Sequence, residues 1–128
     1  MNPRLVTFPM IALLTLAAAG SARAHHGAAV YDTAKTVTVK GTVTDFQFTN
    51  PHVLIYIDSK DESGNVQKWQ GELTSPNHLA RAGWTKSTVK VGDQVTLTGN
   101  PSKSGATNLW LRKVAGPNGD IATGGGEN

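Results

Sequence analysis

The stretch KTVTVKGTVTDFQF, residues 35–48, decides the fold. Its valines alternate with threonines and a glycine, and this period of two predicts a half-buried β-strand. Phe46 and Phe48 fall on the opposite parity, which indicates a β-bulge inside the strand, and Gly41 is the least costly place for a nearby bend. A long, bent first strand of this kind can serve both halves of a small closed barrel.

Four more strands and one short helix are predicted downstream. The strands are expected near residues 52–58, 66–73, 95–99 and 108–114. Ser75 and Pro76 suit the N-cap and the first turn of a helix, and Gly83 suits its end. The chain is therefore predicted to be all-β with one short helix, as a five-stranded OB-type barrel in the order β1-β2-β3-α-β4-β5. The alternative is an open meander with the helix packed on one face.

The first 24 residues have the pattern of a secretory signal peptide. Arg4 precedes an apolar stretch, residues 5–19, and small residues follow up to an A-x-A site that ends at Ala24. The apolar stretch is short and contains Pro9, so it makes a poor membrane-spanning helix. Cleavage after Ala24 is expected to release a periplasmic protein that begins at His25 and has no membrane anchor.

The expected mature chain has the size of one small domain. Removing 24 residues from the 128-residue chain leaves 104 residues. Residues 25–34 are predicted to form an N-terminal arm and residues 35–115 the barrel. Residues 116–128 are rich in glycine and are predicted to form a flexible tail, because they have little apolar surface to bury.

Composition limits the partners of this domain. The chain has no cysteine, and its two methionines, Met1 and Met10, lie in the predicted signal peptide, so any metal bound by the mature chain must be held through nitrogen and oxygen, and disulfides are excluded. Without Arg4 and Arg23, ten basic residues face nine acidic ones, a formal charge of +1. A nearly neutral surface without a basic run argues against nucleic-acid binding, which depends on phosphate contacts. We expect a monomer.

Several short motifs are spread from residue 25 to about residue 101. They are His25-His26-Gly27, Tyr31-Asp32, Gly41-Thr42-Val43, Thr49-Asn50-Pro51-His52, Trp69 with Glu72, Ser75-Pro76-Asn77, Leu79, Arg81, Gly83-Trp84, Gly92-Asp93 and Gly99-Asn100-Pro101. Their combination resembles a family of small secreted bacterial proteins catalogued as a domain of unknown function. The resemblance implies an exported, single-domain β-protein, mostly from Gram-negative bacteria, with no established activity.

The processed N-terminus is the first candidate metal site. A free His25 offers its α-amine and its own ring nitrogen to one ion, and both groups lose their protons near neutral pH. His26 adds a third nitrogen, from its ring or its backbone, and Asp32 an oxygen. Affinities of first-row divalent ions peak at Cu(II), so copper(II) is the expected ion and zinc the second choice.

A second group of polar residues is expected at one end of the barrel. If the β2–β3 turn is centred between Ser63 and Gly64, Ile55 faces Glu72, and His52 lies near Ser75. Asn77 and His78 then join His52 and Glu72. Arg81 is the expected partner of the Glu72 carboxylate, which needs one close to an apolar face.

The N-terminal histidines are expected far from this group. The first strand would be about 46 Å long if it were straight, and His25 and His26 precede its other end. A single site built from all four histidines is therefore not expected.

The group at the barrel end supports a different class of function. A metal-independent binding module could line a cleft for a small polar ligand or a protein partner with His52, Trp69, Glu72, Asn77 and Trp84. The competing interpretation of both tryptophans is core packing. No nucleophile, phosphate loop or carboxylate pair is recognisable in the sequence, so an enzyme is not expected.

Overall fold

A computed structural model describes residues 28–124 and shows a five-stranded barrel with a short sixth strand at its edge. A 3-10 turn, Ala28–Val30, precedes the first strand. The elements are β1 (Val37–Gln47), β2 (Leu54–Lys60), β3 (Val66–Glu72), α1 (Pro76–Arg81), β4 (Gln94–Pro101), β5 (Asn108–Gly116) and β6 (Gly119–Ile121). The predicted order of three strands, a helix and two strands is confirmed.

Strand β1 contains the predicted bulge. Val43 lies opposite Ile57, and Asp45 lies opposite Tyr56, so one residue of β1, Thr44, has no counterpart on β2. Before the bulge, Val39 and Val43 face the core. After it, Phe46 of β1 and Phe48 of the following loop pack against the core. The bulge therefore lets one strand turn an apolar face inward along its whole length.

The barrel closes where β3 and β5 run parallel. Three residue pairs make this junction, which we call the β3–β5 seam: Gln70 with Asn108, Gly71 with Leu109, and Glu72 with Trp110. Because β1 also pairs with both β2 and β4, the ring of strands is complete. The OB-type barrel is confirmed, and the open meander is excluded.

The stagger of the strands brings the two ends of β1 to one level of the barrel. Gln47, at the end of β1, pairs with Leu54 of β2, which pairs with Glu72 of β3. Glu72 pairs with Trp110 of β5, and Trp110 pairs with Asn100 of β4. The circuit returns to the start of β1, because the Asn100 side chain donates a 2.7 Å hydrogen bond to the Lys35 carbonyl. Such stagger accompanies barrel closure. The N-terminal arm therefore enters near the residues that follow β1, not at the far end as predicted.

Helix α1 follows its capping signals. The Ser75 hydroxyl accepts a hydrogen bond from the His78 backbone N–H, and Gly83 ends the helix with a φ of +92°. Leu79 and Trp84 are buried and join the core of the barrel. Within residues 28–124, no helix has both the length and the apolar character that a membrane crossing requires.

The segment after β5 differs from the predicted flexible tail. Residues 119–121 form β6 on the edge of β5, and Ile121 packs against the core. The Ala122 carbonyl accepts a 2.6 Å hydrogen bond from the indole N–H of Trp84. The prediction therefore needs correction for residues 116–124, because the β5 edge offers backbone partners that composition does not show. Residues 125–128 lie outside the described range.

Candidate functional site

The β2–β3 hairpin places Glu72 differently from the predicted register. Glu72 lies opposite Leu54, and Ile55 lies opposite Gly71, one residue away from the expected pairing. The cause is a three-residue loop, 62–64, in which Gly64 has a φ of +82°. Within this loop region, the Asp61 carboxylate accepts hydrogen bonds from two backbone N–H groups.

This register turns Glu72 away from the core. Its neighbours along β3 and beyond, Gly71 and Leu73, are buried, so the side chain between them lies on the outer face. His52 is on the same face, diagonally across from Glu72, because the backbone pairing of Val53 with Leu73 and Thr74 continues the hairpin. The two residues are thus neighbours outside the barrel wall.

Both oxygens of the Glu72 carboxylate have partners. His52 Nδ1 lies 2.5 Å from Oε1, and the Tyr31 hydroxyl donates a 2.6 Å hydrogen bond to Oε2. The predicted partner, Arg81, is exposed on α1 and takes no part. The carboxylate therefore joins a residue of the arm to a residue of the loop before β2.

The indole of Trp110 lies against both of these side chains. Its centroid is 5.6 Å from that of the His52 ring, edge to face, and 6.0 Å from that of the Tyr31 ring. Trp110 is the β5 partner of Glu72 in the β3–β5 seam. We call Tyr31, His52, Glu72 and Trp110 the seam cluster.

The protonation states in the seam cluster follow from its hydrogen bonds. Burial raises the pKa of Tyr31 well above its ordinary value, and the hydrogen bond to Glu72 and the charge of that carboxylate raise it further. The phenol is therefore a neutral donor. Since an ionised carboxylate only accepts hydrogen bonds, the proton between Glu72 and His52 belongs to Nδ1. The lone pair of a neutral His52 is then on Nε2, on a side chain that is 32 % exposed.

The arm reaches the seam cluster because backbone hydrogen bonds fix it to the β4–β5 loop. Tyr31 forms a β-bridge with Ser102, and the Asp32 N–H donates a 2.8 Å hydrogen bond to the Pro101 carbonyl. The Asp32 carboxylate accepts a hydrogen bond from the Ala34 N–H and pairs with Lys35 at 3.3 Å. Tyr31 is 3 % exposed, so its side chain is almost entirely covered.

The other residues predicted for a cleft lie apart from the seam cluster or in the core. Asn77 and His78 are exposed on α1, and His78 Nε2 is 2.6 Å from the Gly124 carbonyl oxygen. Trp84 is buried, and Trp69 is half-buried against the core. Of the predicted group, the structure brings together His52 and Glu72.

The predicted N-terminal metal ligands His25 and His26 lie outside the described residues, as does the predicted signal peptide. Across residues 28–124, no three His, Asp or Glu side chains form a group that could hold a metal ion. Asp32 is described, but both of its carboxylate oxygens have local partners.

Two members of the seam cluster are not among the site residues that the sequence predicts. Tyr31 is the one aromatic side chain in the predicted arm, residues 25–34, and its isolation there is a signal that it packs on the barrel. Trp110 alternates with Leu109 and Leu111, which indicates an outer position, but nothing in the sequence pairs it with His52.

Comparisons with known proteins agree with the fold. A model of a family of unknown function, DUF6152, matches residues 12–110. No curated protein matches the chain in sequence. Among solved structures, a mitochondrial single-stranded DNA binding protein from S. cerevisiae is similar, with a TM-score of 0.50 and 10 % identity. The match covers 65 % of this chain and 93 % of that one. A likeness at this identity concerns the fold alone.

Proposed function

The chain belongs to DUF6152, a family of unknown function, and we propose that this member is an exported protein that binds a divalent transition-metal ion through its processed N-terminus. Copper(II) is the first choice of ion and zinc the second. The role is to bind or carry the ion in the periplasm rather than to catalyse a reaction.

The proposal depends first on the chemistry of His25. Once Ala24 is removed, the α-amine and the imidazole of one residue can close a chelate ring on the same ion. Both groups titrate near neutral pH, so the metal displaces their protons at small cost. His26 supplies a third nitrogen. Because the chain has no cysteine, the expected ligand set is nitrogen-rich and suits Cu(II).

The observation that supports the proposal is the hydrogen bond from Tyr31 to Glu72. This 2.6 Å bond fixes the arm to the outer wall of the barrel, five residues after His26. The described part of the arm is therefore anchored to a folded surface at Tyr31, and a chelate formed close to such an anchor has less conformational entropy to restrict than one on a free peptide. Asp32 is a poorer ligand than the sequence indicates, because its carboxylate is already engaged by Ala34 and Lys35.

A titration with Cu(II) tests the proposal. The protein beginning at His25 is compared with a version carrying one additional glycine before His25, which removes the α-amine from the chelate. We expect the additional residue to weaken Cu(II) binding about tenfold or more, equivalent to about 1.4 kcal/mol or more. Equal affinities for the two proteins would contradict the proposal.

The site of cleavage is tested separately. Mass spectrometry of the protein from its native host is expected to show a chain that begins at His25. An intact Met1, or a chain that begins after His26, would remove the α-amine chelate and the proposal with it.

The alternative function is a metal-independent binding module for a small polar ligand or a protein partner. Because the similar yeast protein binds single-stranded DNA, an oligonucleotide is one ligand to test. The expected mature charge of +1 provides little attraction for phosphates. We therefore expect no change in the fluorescence anisotropy of a labelled oligonucleotide at physiological salt. Tight binding there would contradict the prediction that nucleic acid is not a partner, and without metal binding it would favour a metal-independent module.

A further inference from the structure

We propose that the outer face of the barrel, where β1 passes from β4 to the β2–β3 hairpin, binds an alkyl carboxylate, a small anion with an aliphatic chain. A cavity of about 670 Å³ lies there, and we call it the lysine cleft; its lining includes Lys40, Thr42, Asp58, Lys60, Val66 and Gln94. This volume lies in the range of small-molecule sites, about 300–1,000 Å³. The lining shares no residue with the seam cluster or the arm, so the inference is independent of the metal proposal.

The lysine cleft forms because β1 changes partners at Thr42. This residue lies opposite Gln94 of β4 and also opposite Asp58 of β2, but the part of β1 before it pairs with β4 alone. There the Lys40 carbonyl accepts a 2.7 Å hydrogen bond from the Ser59 hydroxyl, so a side chain continues the contact in place of strand pairing. The β2–β3 hairpin extends past this point, and the cleft is lined from both sides of the divergence.

The charge of the cleft favours an anion. Lys40 and Lys60 both line it, and neither makes an ion pair with any residue from 28 to 124. The carboxylate of the lining, Asp58, is already paired with Lys68 at 3.3 Å. The positive charge of the two other lysines is therefore unbalanced, which attracts a negatively charged ligand. Since lysine carries its charge on a flexible stem, both ammonium groups can turn towards a small anion.

The cleft also has an aliphatic surface for a ligand to cover. Val66 is 54 % exposed, and it lies opposite Lys60 in the hairpin, on the same face of the sheet. The methylene stems of Lys40 and Lys60 and the methyl groups of Thr42 and Thr44 add to this surface. An aliphatic chain placed against these groups removes apolar area from water, which stabilises the complex.

An inorganic anion such as phosphate matches this cleft less well than an alkyl carboxylate. It would pair with the ammonium groups but would leave the exposed side chain of Val66 in water. The polar groups between the lysines are partly engaged, because the Thr42 hydroxyl accepts a hydrogen bond from the Gln94 amide. The observations therefore favour a ligand with one charged end and one aliphatic end.

The experiment titrates the protein that begins at His25 with octanoate, below the concentration at which octanoate forms micelles, and follows the backbone amides by nuclear magnetic resonance. We expect shifts at residues 40–44, 58–60, 66 and 94. Butanoate has four methylenes fewer, and each methylene contributes about fourfold when fully buried, so in this open cleft it should bind about tenfold more weakly or less. Octylammonium has a chain of the same length and the opposite charge, and we expect it to leave these amides unchanged.

Substitutions in the cleft have matched controls elsewhere on the surface. Replacing Lys40 and Lys60 together with glutamine should weaken octanoate binding about fivefold, since exposed ion pairs make modest contributions. Val66→Ser should weaken it about threefold. Lys90→Gln and Val91→Ser change exposed residues of the same types outside the cleft, and we expect neither to alter the affinity. Thermal melting of each variant separates loss of folding from loss of binding, and Val66→Thr is the second variant if Val66→Ser does not fold.

Several results would overturn the inference. Octanoate that causes no shifts, or that binds no better than octylammonium, would show that the lysines do not form an anion site. Phosphate that binds as tightly as octanoate would remove the aliphatic part of the ligand. Shifts centred on Phe48 and Lys86, which line a separate cavity, would place the ligand elsewhere. Shifts confined to the cleft, with losses in its variants and none in the controls, would support the site.

Discussion

The Tyr31 hydroxyl donates a 2.6 Å hydrogen bond to the Glu72 carboxylate, across 41 residues of sequence. This bond joins the N-terminal arm to strand β3 at the place where the barrel closes. Since Glu72 also binds His52, one carboxylate organises three segments that are distant in the sequence. Removing the bond should therefore affect both the stability of the barrel and the position of the arm.

Replacing Tyr31 with phenylalanine is expected to destabilise the metal-free protein by about 2 kcal/mol. The substitution removes a buried hydrogen bond to a charged acceptor, a class of bond that contributes about 1.5–3 kcal/mol. Urea denaturation measures the change. Tyr56→Phe is the control, because that hydroxyl makes no hydrogen bond to residues 28–124; we expect a change within about 0.5 kcal/mol. Equal effects would show that the bond does not stabilise the fold.

The stability of the folded protein is expected to fall in alkaline solution because of Tyr31. The pKa of Tyr31 is raised in the folded protein above its ordinary value of 10.0, first by burial and then by Glu72. The unfolded chain therefore loses the Tyr31 hydroxyl proton at a lower pH than the folded chain. The stabilisation of the folded state that this difference provides is complete below about pH 10 and decreases above it. Thermal melting from about pH 9 upward should show a steeper loss in the natural protein than in Tyr31→Phe. Parallel curves would contradict the assignment.

Substitutions of Trp84 distinguish a role in core packing from a role in ligand binding. The side chain is 2 % exposed, and its indole N–H binds the Ala122 carbonyl. Trp84→Ala is therefore expected to cost about 3–5 kcal/mol, as substitutions that empty a core position do. Trp84→Phe keeps most of the packing and should cost much less. A stably folded Trp84→Ala protein that has lost a partner would instead support the cleft.

The C-terminal segment is expected to contribute to stability. Ending the chain after Gly116 removes β6, the packing of Ile121 and the hydrogen bond acceptor of Trp84. Together these changes are expected to cost about 2–3 kcal/mol. A chain that ends after Gly124 keeps all of these contacts and is the control. If both truncated proteins melt at the same temperature, the segment is not part of the stable fold.

Much of the fold could be predicted because its signals are local. The parity switch before Phe46 marks a bulge, and Ser75, Pro76 and Gly83 mark the ends of a helix through their own backbone preferences. Each of these features depends on residues that are close in the sequence. The order of the elements then indicates the barrel.

The seam cluster could be predicted only in part, because it depends on register and closure. A turn centred on Ser63, instead of between Ser63 and Gly64 as predicted, moves Glu72 from opposite Ile55 to opposite Leu54. The stagger of the closed barrel then brings the arm next to His52, although a straight strand would separate them by its whole length. The position of Glu72 beside the arm depends on the hairpin register and the barrel stagger together, and no single stretch of sequence contains both. The sequence therefore does not predict the hydrogen bond between Tyr31 and Glu72.

The short β3–β5 seam has a consequence for how the barrel opens. Three residue pairs join these strands, whereas six join β1 to β4, so local unfolding is expected to begin at the seam. Backbone amides such as that of Gln70, which is bound to the Thr107 carbonyl, should then exchange with solvent deuterium before those of β1. The arm lies against this junction on the outer face and restrains it through the bond from Tyr31 to Glu72. A ligand that immobilises the arm should therefore also make local unfolding of the barrel less frequent.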